Sequence, residues 1–205
     1  MIKNNGLYII LSSPSGAGKT TLAKKLIKNN KKLKLSVSYT TRKKRPVEKN
    51  NKDYIFINEK KFNELKKKKY FIEWAKVFGN YYGTSLIKLK KHINNGNDVL
   101  FDIDWQGSRQ IKKKLGNDVV SIFILPPSKK ELIKRLKKRA QDSNKEVKKR
   151  LSYFEKELSH WNEYKYVLIN DKINKTLNQI KSIIEVERII NKKKIFQKSK
   201  IKFLR

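Results

Sequence analysis

Ser13 to Thr20 reads Ser-Pro-Ser-Gly-Ala-Gly-Lys-Thr, a run of small residues that ends on a cation and a hydroxyl. It follows the phosphate-loop pattern G-x-x-x-x-G-K-[ST], with Ser13 standing where the first glycine would be and an extra glycine at Gly16. Small residues let successive backbone N–H groups curl round a phosphate, which gives Ser13, Pro14, Ser15, Gly16, Ala17 and Gly18 their expected part. Lys19 would supply a mobile charge to the outer phosphates. Thr20 would offer its hydroxyl to a Mg²⁺ ion, and Thr21 extends the same contact run. This chemistry is the binding of a nucleoside triphosphate. It leaves the acceptor to be found elsewhere.

Three further groups are dense in polar and aromatic residues. Ser36 to Glu48 includes Ser38, Arg42, Arg45 and Glu48, and Asp53-Tyr54 follows five residues later. Phe71 to Thr84 includes Glu73, Tyr82 and Thr84. Asp102-Ile-Asp-Trp-Gln-Gly107 ends an apolar run, and ligands of open α/β sheets bind at the carboxyl ends of the strands.

The elements that must position these groups can be read from periodicity. Leu7–Leu11, Val99–Ile103, Ser121–Leu125 and Tyr166–Ile169 are short apolar runs, the mark of strands buried on both faces. Helical spacing falls over Thr20–Ile27, Trp105–Leu115, Ser128–Ala140 and Asn174–Asn191. Strands alternating with helices predict an α/β fold with a mainly parallel sheet. The loop between the first strand and the first helix is the context a phosphate loop requires. Residues 36–90 break the rhythm with strand signals such as Tyr54–Ile57, and are expected to form an inserted, mostly β unit. The segment from 192 to 205 is basic and is expected to fray.

Composition narrows the function classes. The chain of 205 residues can bury a full core, and with no cysteine it has neither disulfides nor a thiolate metal site. No apolar run approaches the ~20 residues of a membrane span, and Met1 to Gly6 does not read as a signal peptide. No membrane partner is expected, and the cytoplasm is the expected compartment. The formal net charge is +34. Such a value ordinarily points to nucleic acid. Here the lysines are spread along the whole chain, and Lys, Asn and Ile are enriched together, as A/T-rich coding would produce. No specific nucleic-acid partner is expected. A homo-oligomer is compatible with the sequence.

Together the phosphate loop and the other three groups, in this order and spacing, closely resemble guanylate kinases. The resemblance continues through Ser121–Ser128, Arg135-Leu-Lys-Lys-Arg139 and Glu185–Arg188 and covers nearly the whole chain. It implies a P-loop parallel-sheet core with helices on both faces, over 1–35, 91–130 and 160–205. It implies a GMP-binding insertion over 36–90, and a helical lid with its adjoining helix over 131–159. The implied substrates are ATP and GMP, with Mg²⁺ as the metal, held by Thr20 and, through water, by Asp102. The family pattern assigns the GMP phosphate to Arg42, Arg45, Tyr54 and Tyr82, and includes Glu48. It assigns guanine to Ser38, Glu73 and Thr84, with Asp102 nearby. It assigns the transferring phosphoryl group to Arg135, Arg139 and Arg150, alongside Lys19 and Arg42.

Each assignment has a physical reason. The planar fork of arginine bonds two phosphate oxygens at once. Arg occurs eight times among 52 basic residues, and five of the eight stand at phosphate-contacting positions of the pattern. A carboxylate can accept from both donors of guanine's Watson–Crick edge, and hydroxyls can donate to O6. The GMP phosphate is already an oxyanion, so the transfer requires no general base, and neither His92 nor His160 is needed. Lys138 and Ala140 flank Arg139 where relatives often carry Gly. Three other readings share parts of this pattern: a non-catalytic interaction module on the same fold, a kinase of another nucleoside monophosphate, and a nucleic-acid-binding protein.

Overall fold

A computed structural model describes residues 6–138 and 144–198, without the side chains of 117, 137–138, 144–150 and 194–198. In chain order the first elements are β1 (Tyr8–Ser12), α1 (Lys19–Lys28), β2 (Leu33–Leu35), β3 (Tyr39–Thr40) and β4 (Ile55–Phe56). Next come α2 (Glu59–Lys67), β5 (Phe71–Val77), β6 (Asn80–Ser85), α3 (Leu86–Asn94) and β7 (Asp98–Asp102). The rest are α4 (Trp105–Leu115), β8 (Val119–Leu125), α5 (Lys129–Lys138), α6 (Asn144–Leu158), β9 (Tyr166–Ile169) and α7 (Ile173–Lys198).

Five strands form one sheet in the order β2-β7-β1-β8-β9, and every neighbouring pair is parallel. The apolar runs are continuous because both faces of this sheet are covered. Successive side chains of β1 go to opposite sides. Ile9 and Leu11 pack with Leu22 and Leu26 of α1 and with Leu177 and Ile180 of α7. Ile10 packs on the other face, with Phe101, Phe123, Leu89 of α3 and Ile111 of α4. The sheet therefore presents the ends of β1, β7 and β8 as one rigid edge.

A second sheet has the order β4-β3-β6-β5. β3 runs parallel to β4, and β6 is antiparallel to β3 and β5. β5 and β6 are joined by the two-residue turn Phe78-Gly79, whose φ angles of 51° and 87° are the pair that a type I′ hairpin requires. Phe62 of α2 is buried under this sheet and stacks on Phe71 and Tyr81.

Three elements depart from the sequence reading. β2 is a short strand that periodicity did not mark. α2 and α3 are helices inside a region expected to be mostly β. Each buries a single residue, Phe62 or Leu89, amid lysines, so neither shows an apolar stripe. Their starts are marked instead by caps: Asn58 accepts from Lys61 N at 2.8 Å and Ser85 from Lys88 N at 3.3 Å. α3 spans 86–94, across the expected boundary between 90 and 91. No described helix is long and apolar enough to cross a membrane.

Candidate active site

β1 delivers the chain into the 13–18 loop, and α1 begins at Lys19. Gly16 and Gly18 both have φ of +96°, a conformation that side chains strain. Space is also short there. A Cβ on Gly18 would stand 2.4 Å from Asn170 Nδ2, and one on Gly16 would stand 2.9 Å from Leu136 Cδ2. The loop is held from outside. Asn170 Nδ2 donates to Ala17 O at 2.7 Å, and Ser15 N donates to Glu157 Oε2 at 2.9 Å. Ala17 is fully buried, whereas Ser13, Pro14, Ser15, Gly16 and Gly18 line an open cleft. Gly18 caps α1 without a side chain, so the positive end of the helix faces that cleft.

The register of the sheet brings the next groups together. Leu11 of β1 pairs with Asp102 of β7, which sets Asp102 beside the start of α1. Lys19 Nζ lies 2.8 Å from Asp102 Oδ1 and donates to Ile103 O at 2.9 Å. Thr20 Oγ1 donates to Asp102 Oδ2 at 3.2 Å. Thr21 is exposed on the first turn and lines the same cleft. Asp104 plays a structural part, since its Oδ1 accepts from Gly107 N at 3.0 Å and caps α4.

Across the cleft, the second sheet and its β3–β4 connection present a cationic and aromatic wall. Arg42 Nη2 reaches Glu48 Oε1 at 2.6 Å, and Arg45 N donates to Glu48 Oε2 at 2.9 Å. Arg42 also lies over the rings of Tyr54 and Phe56, at 5.3 and 5.8 Å. The rings of Tyr54 and Tyr82 meet edge to face. Burial works against ionising Glu48, yet the bonds from Arg42 and Arg45 N–H outweigh it and hold its pKa below the usual range. Burial, with Asp102 adding to it, pushes the Tyr54 hydroxyl upward. At the rim Lys24 of α1 meets Asp53 Oδ1 at 2.5 Å.

Deeper in the same wall, Glu73 and Thr84 face each other across β5 and β6. Both are buried, as is Ser38, whose hydroxyl lies 3.5 Å from that of Thr84. Among the described residues Glu73 Oε1 has no hydrogen-bond partner. Burial pushes the Glu73 carboxyl up to about 7; Thr84 and Lys114 pull it down and Asp104 pushes it further up. A buried carboxylate oxygen with nothing to accept from is a costly arrangement unless a ligand supplies donors.

The helical segment beyond β8 contributes Arg135. Its Nε donates to Glu131 Oε1 at 2.9 Å and its Nη2 to Asn170 O at 3.1 Å. Leu132 and Leu136 of α5 pack with Phe154 of α6 beside Gly16. Arg139 lies outside the described residues. Position 150 is within α6, but its side chain is outside them. His160 stacks on Trp105 at 3.9 Å and meets Glu163 at 2.6 Å, and it does not line the cleft.

Sequence reasoning passed over Asn170 and Glu157 and gave Asp53 no role of its own, though all three line or brace this cleft. Asn170 had a usable signal, since it is the polar residue ending the apolar run Tyr166–Ile169, as Asp102 ends its own. Glu157 gave none: nothing in a Lys- and Glu-rich helix marks which carboxylate is buried.

The two walls enclose about 550 Å³, with Lys19 and Asp102 on one side and Arg42, Tyr54, Glu73 and Tyr82 on the other. A phosphate-loop sequence between the first strand and first helix of an all-parallel sheet, facing a second wall that carries Arg42 and Arg45, is the arrangement of a P-loop nucleotide kinase. A family model described as guanylate kinase matches residues 6–187. The guanylate kinase of Bartonella henselae is 49% identical over 187 residues, covering 91% of this chain and 84% of that protein. That of Bradyrhizobium diazoefficiens is 45% identical over 194 residues, covering 95% and 89%. The crystal structure of guanylate kinase from Anaplasma phagocytophilum superposes with a TM-score of 0.75 at 37% identity, covering 92% of this chain and 89% of that one. The chain belongs to the guanylate kinase family.

Proposed function

We propose that the protein transfers the γ-phosphate of ATP to GMP, giving ADP and GDP, and that the cleft described above is where it does so. The observation that carries this reading is Glu73. It is a buried carboxylate with an unmet oxygen, set between hydroxyls, in the wall opposite a phosphate loop. Guanine offers two adjacent donors to such a group. Adenine offers no ring-nitrogen proton, and sites built on polar pairing reject such analogues by ~10⁴-fold.

In this reading the loop and Lys19 hold ATP, and Arg42, Arg45, Tyr54 and Tyr82 hold the GMP phosphate. A GMP phosphate oxygen attacks the γ-phosphorus, and the bond to the bridging oxygen breaks, leaving its electron pair on ADP. No proton needs to be removed first. Catalysis rests on alignment and on cations at the transferring group, Arg135, Arg139 and Arg150 among them. Guanine nucleotide recycling in the cytoplasm is the role this activity suits.

Mg²⁺ fits the donor set. Thr20 Oγ1 and Asp102 Oδ2 are hard oxygen donors side by side. Among the described residues no group of three or more His, Asp or Glu could hold a metal alone. That suits an ion which keeps waters and completes its shell with substrate phosphates. Thr20 would offer its hydroxyl directly and Asp102 would act through water. Bound with ATP, the ion would neutralise charge on the β- and γ-phosphates.

The test is an ADP-release assay with GMP, AMP, CMP and UMP as acceptors. Turnover confined to GMP is expected. Equal turnover with AMP would overturn the assignment of the acceptor.

A further inference from the structure

β5 is the edge strand of the second sheet, so half of its backbone groups have no strand to bond. Helix α4, whose Ile111 is buried in the first sheet's core, supplies the missing partners. Gln110 Oε1 accepts from Trp74 N at 3.2 Å, and Gln110 Nε2 donates to Trp74 O at 2.7 Å. One side-chain amide thus does for Trp74 what a neighbouring strand would do. Lys114 Nζ donates to Ile72 O. The residue between these two anchored positions is Glu73. Gly107 completes the arrangement. A Cβ there would stand 2.6 Å from Glu73 Oε2 and 3.2 Å from its Cδ. Gly107, Gln110 and Lys114 are three and four residues apart, so they share one helix face.

We propose that Gly107 and Gln110 are positioning residues for guanine selection: Gln110 fixes the backbone of Glu73 as a surrogate strand, and Gly107 leaves the space its carboxylate occupies. The proposal rests on the reading of Glu73 as the group that meets guanine. The physical content is that the base recess belongs to two units at once. Glu73 comes from the second sheet, and its aim is set by a helix of the first. A displacement of the carboxylate by a few tenths of an ångström is enough to spoil a two-donor contact. Gly107→Ala demands such a displacement, because the nearest atoms belong to the buried end of Glu73 rather than to backbone. Gln110→Met keeps length and volume but removes both bonds to Trp74.

The test is steady-state kinetics with GMP and ATP varied separately, and direct GMP binding. Each lost hydrogen bond is worth about 2- to 10-fold. Gln110→Met and Gly107→Ala are therefore expected to raise KM for GMP by about 10-fold, with KM for ATP and kcat changed by less than about 2-fold. A general loss of packing would move all three. Glu73→Asp draws the carboxylate back by about one methylene. It should therefore suppress Gly107→Ala, so that the double variant is less impaired than the product of the single effects. Unchanged KM for GMP in Gln110→Met, or independent effects of Gly107→Ala and Glu73→Asp, would overturn the proposal while leaving Glu73 as the reader. Glu73→Gln with full preference for GMP over AMP would instead remove the reading on which it rests.

Discussion

Lys19 and Asp102 form an ion pair across the ends of α1 and β7, with Nζ 2.8 Å from Oδ1. The lysine proposed to meet the outer phosphates is thus held by a carboxylate until an anion replaces it. In the proposed reaction the charge of Lys19 acts on the transferring phosphoryl group. Lys19→Ala is expected to lower kcat by at least ~10²-fold. Steady-state turnover of the purified, folded variant checks this, and near-normal kcat would remove Lys19 from the mechanism.

Glu73 offers a second prediction in two measurements. Glu73→Gln should erode the preference for GMP over AMP, because an amide accepts at one end and donates at the other. It should also stabilise the ligand-free fold in a pH-dependent way. The ordinary carboxyl value is 4.5, and burial raises that of Glu73 to about 7 in the fold. Below the lower value both states are protonated, and the residue costs nothing. As pH rises the unfolded carboxyl ionises first, so the cost grows until the folded one ionises as well. The stability gained by Glu73→Gln should therefore be small near pH 4.5 and level off above pH 7, at roughly 3 kcal/mol. Thermal or denaturant unfolding across that range tests it. A pH-independent gain would contradict the shift.

Arg42→Lys keeps the charge but loses the planar fork whose Nη1 and Nη2 donate to Lys43 O and Glu48 Oε1 at 2.7 and 2.6 Å. Since Arg42 is proposed to hold GMP in the open state, KM for GMP should rise by about 10-fold or more, with a smaller change in kcat. Arg139→Lys is the counterpart. Its proposed contact exists mainly in the closed, reacting complex, so kcat should fall more than GMP affinity. If Arg139→Lys weakens GMP binding as much as Arg42→Lys and spares kcat, residue 139 has no lid role.

The charge of +34 is expected to be incidental to catalysis. Binding to DNA or RNA should be weak, indifferent to sequence and lost steeply as salt rises. Titration of labelled oligonucleotides at two salt concentrations measures this. A nanomolar, sequence-dependent complex at physiological salt would assign the lysines a function.

The parallel sheet was legible because strands buried on both faces must be apolar throughout, and Tyr166–Ile169 and Trp105–Leu115 were read to the residue. The placement of the 13–18 loop between β1 and α1 was legible because its signal is local: six small residues, a lysine and a threonine are contiguous. α2 and α3 were not, since one buried side chain apiece leaves no period to detect. Asp104 illustrates a different limit. Two carboxylates two residues apart look equivalent in sequence, but one pairs with Lys19 and the other caps α4. Gln110 was invisible for a similar reason. Its value depends on which strand has an open edge beside it, and that is a property of the assembled fold.

The attachments of the second sheet are unequal at its two ends. At β5 it is fastened to α4 by bonds to backbone, and α3 carries Leu89 into the core. Away from β5, Ser36 N just before β3 donates to Leu100 O at 2.9 Å, and at the rim Lys24 meets Asp53, a pair whose lysine is 60% exposed and which water and salt can loosen. The backbone-anchored attachments of β5 therefore flank Glu73, and the solvent-screened pair lies next to Tyr54. Uneven fastening of this kind would let the residues proposed to hold the GMP phosphate shift more than the residue proposed to read the base.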